Sequence, residues 1–220
     1  MRGFERVLAF APMLPALGGE DGGDALHPKP LELLAAAVAN LHRAKDAAYG
    51  PAWKKRGELV SIVANIARKV DRLEYMQLAG SHGTPDESLL DTAIDLYVYA
   101  VKYLTYFADM DDNYRRATLP THLTPPYSDG YAAFEYLHSQ LSQQQPTAES
   151  IDMAIQVALE TFQRLEVGLR RSHLNEGVAE RRHVAEELAA AAWTLAGLVA
   201  LDDPAALEQL IRQYGVAREA

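Results

Sequence analysis

The sequence predicts an all-α protein. Valine and isoleucine fall within patterns that repeat about every 3.6 residues, and no stretch alternates apolar and polar residues like a half-buried strand. Helix-start signals and Gly/Pro breaks divide the chain into segments of helical length. With 220 residues, of which 49% are apolar and 23% charged, the chain is long enough to bury a sizeable core.

Composition and charge exclude several classes of protein. The absence of cysteine excludes disulfides and thiolate metal sites. A net charge of −9 argues against a general affinity for nucleic-acid polymers. No run of 18 apolar residues predicts a membrane span. Arg2 and Arg6 precede an apolar run as in a signal peptide, but Glu5, Pro12 and Pro15 interrupt the pattern, so we expect a cytoplasmic protein without membrane partners.

The predicted elements follow one another in order. Residues 1–30, rich in glycine and proline, are expected to form a flexible arm. A first helical domain is predicted over 31–112, a polar linker over 113–127 and a C-terminal helical region over 128–220. The predicted helices are 31–48, 58–78, 85–108, 131–143, 147–171, 178–201 and a short last one ending near 214.

The helix predicted from Pro85 carries the most informative residues. Thr84 as N-cap and Glu87 at the third helical position form a capping box, which accounts for Glu87. Asp91 and Asp95 are four residues apart, so their carboxylates project from one side of the helix. A cation would turn their repulsion into a binding site, whereas the alternative is an ordinary solvated face. That face comprises Ser88, Asp91, Asp95, Tyr99 and Lys102.

A basic segment precedes this acidic helix. Residues 43–72 hold eight basic and three acidic residues, and residues 86–113 hold seven acidic residues and one lysine. One interpretation is an antiparallel helix pair with complementary surface charge, which contributes little per ion pair. The other is a groove in which carboxylates hold Mg²⁺ and basic side chains hold the phosphates of a nucleotide.

Three blocks of residues, in this order, resemble a known family. They are Lys45-Asp46-x-x-Tyr49-Gly50-x-x-Trp53, Lys69-x-x-Arg72-Leu73 and Asp86-Glu87-Ser88-x-x-Asp91-Thr92-x-x-Asp95-Leu96-x-x-Tyr99. Over residues 31–108 the chain resembles the nucleotide modification associated domain type 1, a group of phage and bacterial proteins similar to the MazG-like all-α nucleoside triphosphate pyrophosphohydrolases. The resemblance implies a four-helix core, hydrolysis between the α- and β-phosphates of a nucleotide, and Mg²⁺ held by acidic side chains.

With this resemblance, Asp91 and Asp95 are the expected metal ligands and Glu58 is a third candidate. Lys69 and Arg72 are expected to neutralise phosphate charge. The sequence also departs from the family. MazG-like enzymes carry Glu-x-x-Glu on one helix and Glu-x-x-Asp on the next. If Asp95 takes the final Asp position, Thr92 stands at the Glu position, and the preceding helix has no Glu-x-x-Glu.

Two aromatic residues and a competing function complete the interpretation. Tyr49 and Trp53 are candidates for stacking on a nucleobase, and the alternative is that they pack a corner between helices. The competing class is a non-catalytic helical protein for interaction or homo-oligomerisation, in which the charge pattern is only structural.

The sequence also contains a weak internal similarity at an offset of 92 residues. Arg72-Leu73-Glu74 recurs as Arg164-Leu165-Glu166, and Asp95 corresponds to Glu187. His183 stands where the first half has Asp91, so a site in the second half would be degenerate. The alternative is chance similarity between two helices rich in alanine and leucine.

Overall fold

The protein is all-α, as the sequence predicts, in the computed structural model that describes residues 29–80, 83–84, 87–171 and 177–215. The predicted N-terminal arm, apart from residues 29 and 30, lies outside the described residues. The helices are α1 (Pro30–Tyr49), α2 (Ala64–Ala79), α3 (Leu89–Met110), α4 (Asp112–Thr118), α5 (Ala132–Leu141), α6 (Ile151–Arg171), α7 (Val178–Asp202) and α8 (Pro204–Tyr214).

Shorter elements connect the first helices. A 3₁₀-helix, Gly50–Lys54, and a π-helix, Glu58–Val63, lead from α1 into α2. Two strands of two residues each, β1 (Gly83–Thr84) and β2 (Glu87–Ser88), pair antiparallel before α3. The sequence contained no alternating pattern that would predict this ladder, because two residues are too few to show a period.

Helix α3 begins at Leu89, four residues later than predicted. Ser88 is the N-cap: its hydroxyl oxygen accepts from the backbone N–H of Asp91 at 3.1 Å, and the Asp91 carboxylate accepts from the backbone N–H of Ser88 at 3.0 Å. The predicted box of Thr84 and Glu87 is therefore wrong, since those two residues face each other in the ladder. Helix capping now accounts for Asp91 rather than for Glu87.

The chain is built from two four-helix halves related by the offset of 92 residues. Helices α1 to α3 end at positions 92 residues before the ends of α5 to α7, and α4 begins 92 residues before α8. The caps correspond as well. The Asp111 carboxylate accepts from the backbone N–H groups of residues 113 and 114, and that of Asp203 from those of residues 205 and 206. Chance similarity of sequence would not reproduce these boundaries, so the weak internal similarity reflects a real structural repeat.

Equivalent residues of the two halves also touch each other. The ring of His42 stacks on that of Phe134 with 3.7 Å between centroids, and the Arg43 guanidinium forms a bidentate ion pair with the Glu135 carboxylate. The members of each pair are 92 positions apart. Residues related by a two-fold rotation meet only beside its axis. The two halves are therefore related by a pseudo-two-fold axis that passes between α1 and α5.

A single core joins the two halves. Helix α3 packs against α7. The outer helix α2 packs against α3, the outer helix α6 packs against α7, and α2 and α6 also pack against each other. Near the centre, the rings of Tyr97 and Trp193 lie 5.1 Å apart between centroids. The buried residues form one continuous cluster across both halves. The predicted linker, residues 113–127, contains most of α4, which packs against α3.

Helix α7 is long and apolar enough, by length and composition, to cross a membrane. However, 72% of that stretch is buried inside the protein, where α3 and α6 cover it. A core helix that is apolar on all sides passes the same test. The composition of α7 is therefore explained by its central position.

We predict that His42 makes the protein sensitive to acid. Its side chain is 1% exposed, and neither ring nitrogen has a hydrogen-bond partner among the described residues. Burial first, and then Lys102, His138 and Lys45, lower the pKa of His42 to about 3. The unfolded chain takes up this proton near pH 6.5, so protonation favours unfolding and stability is lost as the pH falls from 6.5 towards 3.

His42→Phe should remove this dependence, because phenylalanine keeps the stacking on Phe134 without a titrating ring. We expect urea unfolding to show that the wild type loses about 3 kcal/mol more than the variant between pH 7 and pH 4. His122→Ala, which changes an exposed histidine, serves as the control and should behave like the wild type. Equal pH profiles for wild type and His42→Phe would contradict the assignment.

Candidate functional site

Two lysines from different helices converge on Asp95. The ammonium of Lys45 on α1 lies 2.5 Å from one carboxylate oxygen, and that of Lys69 on α2 lies 2.8 Å from the other. Burial alone would raise the pKa of Asp95, but the charges and hydrogen bonds of Lys45 and then Lys69 hold it below its usual range. Asp95 thus ties α1, α2 and α3 together through one partly buried carboxylate.

This arrangement contains part of the predicted site. The short connection makes α2 and α3 an antiparallel pair, and Lys69 faces Asp95 across it. Arg72, one turn further along α2, is half-buried. Lys45 was part of the family motif but was not assigned to the site, because nothing in the sequence shows that α1 returns to the acidic helix.

A cleft of about 300 Å³ opens beside Asp95, between α1, the beginning of α3 and α8. Its near wall contains Lys45, Asp91 and Asp95. Its far wall is α8, which provides two amide side chains, Gln209 and Gln213, and the ring of Tyr214. Helix α8 lies more than 100 residues further along the chain, so no spacing within the first half could indicate its contribution.

The three predicted metal ligands are not brought together. Asp91 is exposed and caps α3, and Asp95 is occupied by two lysines. Glu58 is 6% exposed and pairs with Arg181 of α7, with nitrogen–oxygen distances of 3.0 and 3.3 Å, while it also accepts from the Tyr103 hydroxyl. In the described ranges, no group of three His, Cys, Asp or Glu side chains is arranged to hold a metal ion.

These residues do not fit the magnesium centre that the family resemblance implies. Mg²⁺ needs several oxygen ligands in nearly octahedral geometry. Here the carboxylates already bind cationic side chains or helix-capping N–H groups, and Thr92 does not replace the missing glutamate. The Thr92 side chain is fully buried, and its hydroxyl donates to the backbone carbonyl of Ser88 at 3.1 Å.

The two predicted base-binding aromatics lie in different environments. Tyr49 is 72% exposed, whereas Trp53 is 8% exposed. The ammonium of Lys102 lies 4.8 Å from the centroid of the Trp53 ring and covers one of its faces. Trp53 therefore packs between helices, as the alternative interpretation holds, and only Tyr49 keeps a ring face open to solvent.

Lys102 is a residue of interest that the sequence did not reveal. It was placed on the solvated face of α3, but it is 8% exposed. Burial lowers its pKa to about 8, Asp46 partly opposes this shift, and Lys45 and Lys54 add to it. No spacing rule finds such a residue, because the 3₁₀-helix that covers it has only five residues, too few to show a period.

We predict that the Lys102 charge destabilises the folded protein. Because the folded pKa is about 8 and the ordinary value 10.5, folding expels a proton, and stability is lost as the pH falls from 10.5 through 8. Lys102→Met keeps an unbranched side chain against Trp53 without the charge. We expect urea unfolding to show a gain of about 2 kcal/mol at pH 7, after allowing for the lost cation–π contact.

The gain should shrink when the same comparison is made at pH 10, where the wild-type side chain is neutral in the folded state. Lys55→Met changes an exposed lysine nearby and should alter stability little at either pH. A loss of stability in Lys102→Met at pH 7 would show that the ammonium is stabilising and would contradict the prediction.

Comparisons of this chain with protein-family models, with curated proteins and with solved structures give no match. The function therefore has to be argued from the residues of the cleft.

Proposed function

We propose that this protein binds the phosphate groups of a nucleoside triphosphate in the cleft beside Asp95, as a MazG-like domain without a complete magnesium centre. The observation that supports this proposal is the convergence of Lys45 and Lys69 on one carboxylate at the cleft. Two ammonium groups at one place are suited to phosphate oxygens, which form strong charge-assisted hydrogen bonds.

Asp95 acts in this proposal as a positioning residue. It holds the ammonium groups of the two lysines on either side of one carboxylate. An ammonium has three donors, and the Lys45 side chain is still 41% exposed while it contacts Asp95. Because Lys45 lines the cleft, its remaining donors are available to a phosphate that enters it. Each charge-assisted hydrogen bond of this kind contributes about 1.5–3 kcal/mol.

The wall formed by α8 is suited to the rest of a nucleotide. The amides of Gln209 and Gln213 offer both donors and acceptors to a base or a sugar. Tyr214 is half-buried, and its ring offers a surface on which a base can stack. The three groups lie on the same short helix, opposite the lysine.

The proposal is for binding rather than rapid hydrolysis. A pyrophosphohydrolase of the MazG type needs carboxylates that are open to Mg²⁺, and those of this site are neutralised by lysines or used as a cap. Thr92→Glu would not restore the family pattern, because the larger, charged side chain would have to enter a fully buried position.

The test is isothermal titration of the protein with nucleoside triphosphates, in buffer with EDTA and in buffer with Mg²⁺. We expect binding in both buffers. Lys45→Met should weaken binding by about tenfold or more, the loss of one charge-assisted hydrogen bond. Lys55→Met is the matched control and should bind like the wild type. Equal affinities for Lys45→Met and wild type, or fast release of pyrophosphate with Mg²⁺, would overturn the proposal.

A second candidate function, homo-oligomerisation, is favoured by exposed apolar residues on the outer helices. On α2, Tyr75 is 70% exposed and Leu78 is 82% exposed, and Val167 on α6 is 43% exposed. Tyr75 and Val167 are equivalent under the 92-residue offset, so apolar residues are exposed at one pair of equivalent positions, whereas Leu78 is equivalent to Arg170. The exposed apolar residues on α2 and α6 are a surface that a second copy of the chain would cover.

Light scattering after size-exclusion chromatography checks this candidate. A dimer that Leu78→Glu converts to monomer would support it, since a charge at the centre of an apolar interface is costly. Glu74→Lys, a change at an exposed position on the same helix, controls for charge alone. A wild-type monomer across the micromolar range would exclude this candidate.

A further inference from the structure

At the corner formed by α1, the 3₁₀-helix and α3, the charges of Lys45 and Lys54 act on Lys102, and the three lysines differ in their partners. Lys45 has the Asp95 carboxylate at 2.5 Å, and Lys54 has that of Asp129 at 2.6 Å. Lys102 is the most buried of the three, and no carboxylate of the described residues lies within 4 Å of its ammonium. The lysine that needs a counter-ion most is therefore the one without it.

Other polar groups of this corner are also unsatisfied. The indole N–H of Trp53 is buried and finds no acceptor in the described part of the chain. His42, whose charge state responds to both Lys102 and Lys45, is buried without a partner for either ring nitrogen. Buried donors without acceptors are costly and uncommon in folded proteins. Their grouping around a buried ammonium makes this corner suited to a ligand rich in acceptors.

We infer that this corner is an oxyanion site, in which Lys102 binds a phosphate or sulfate group with support from Lys45 and Lys54. A tetrahedral oxyanion supplies both the negative charge that Lys102 lacks and the acceptor that the Trp53 N–H lacks. The charge of Lys45 acts on Lys102 at this corner, and the Lys45 side chain also lines the cleft beside Asp95. The site stands by itself, and only the assignment of its anion to a nucleotide rests on the proposed function.

The charges around the corner limit the kind of anion. The four lysines Lys45, Lys54, Lys69 and Lys102 carry four formal positive charges against the three negative charges of Asp46, Asp95 and Asp129, so a surplus of one charge remains, which suits one small group rather than an extended polyanion. The ammonium of Lys102 retains little exposure, which favours a compact ligand such as a single phosphate group.

Sulfate is the probe, because it remains a dianion throughout the working pH range. We expect isothermal titration at pH 7 and constant ionic strength to show saturable binding of one sulfate per chain. Lys102→Met should abolish this binding, and Lys55→Met should leave it unchanged. Circular dichroism and urea unfolding in chloride confirm that both variants are folded. No saturable binding in the wild type, or binding that survives in Lys102→Met, overturns the inference.

A second readout follows the proton. Without sulfate, the Lys102 side chain is mostly neutral at pH 9. A bound dianion favours the charged ammonium, so each binding event at pH 9 should take up close to one proton from the buffer. Titrations in buffers with different ionisation enthalpies measure this uptake. It should be absent in Lys102→Met, and its absence in the wild type would show that sulfate binds without Lys102.

The source of the phosphate is decided by comparing ligands. If a nucleoside triphosphate competes with sulfate and loses affinity in Lys102→Met, the anion arrives as part of a nucleotide. If sulfate and inorganic phosphate bind but no nucleotide does, the oxyanion site stands and the proposed function fails. If nucleotides bind through Lys45 and are indifferent to Lys102→Met while sulfate does not bind, the inference fails and the proposed function stands.

Discussion

The packing of α3 against α7 is the contact on which the rest of the structure depends. These helices occupy equivalent places in the two halves, and each is covered by α2 or α6 on its outer side. The ion pair of Glu58 with Arg181 reinforces the contact, because it joins residues 123 positions apart at a point closed to water. A buried ion pair contributes little net stability but strongly disfavours arrangements that separate its partners. The packing of α3 against α7 thus stabilises the contact between the halves, and the buried ion pair specifies how they are arranged.

The pseudo-two-fold symmetry shows how the two halves have diverged. Asp95 pairs with Lys69 in the first half, and the equivalent Glu187 pairs with Arg164 at 2.7 Å in the second. The position equivalent to Lys45 is Leu137, a buried apolar residue. The second half therefore has an ion pair between the corresponding helices, but its cation comes from the position equivalent to Arg72 rather than Lys69, and His183 lies on the other side of Glu187 at 3.4 Å. Only the first half has two lysines on one carboxylate.

The sequence predicted what depends on local periodicity and little of what depends on distant contacts. The helices and the antiparallel packing of α2 against α3 followed from periodicity and from the short turn between them, whereas the direct pairing of Lys69 with Asp95 is seen only in the structure. Asp91 was misinterpreted because two capping boxes overlap in the sequence, and the ladder decides between them. Glu58 was misassigned because its partner, Arg181, lies in the other half. The repeat was visible in only a few residues of the sequence, because the two halves share their helix ends but few side chains at equivalent positions.

On the proposed function, the arrangement around Asp95 accounts for nucleotide binding without fast hydrolysis. Two ammonium groups carry the same formal charge as one Mg²⁺ ion, and after Asp95 is neutralised one positive charge is left for the phosphates of a ligand. They do not lower the pKa of a bound water, which is the part of the chemistry that a metal supplies in hydrolysis. On the proposed function, Thr92 stands at the glutamate position and is buried, Asp95 is paired with two lysines, and the exposed Asp91 caps α3. On the proposed function, recognition of phosphate and its hydrolysis have therefore been separated, and the lysines retain only the first.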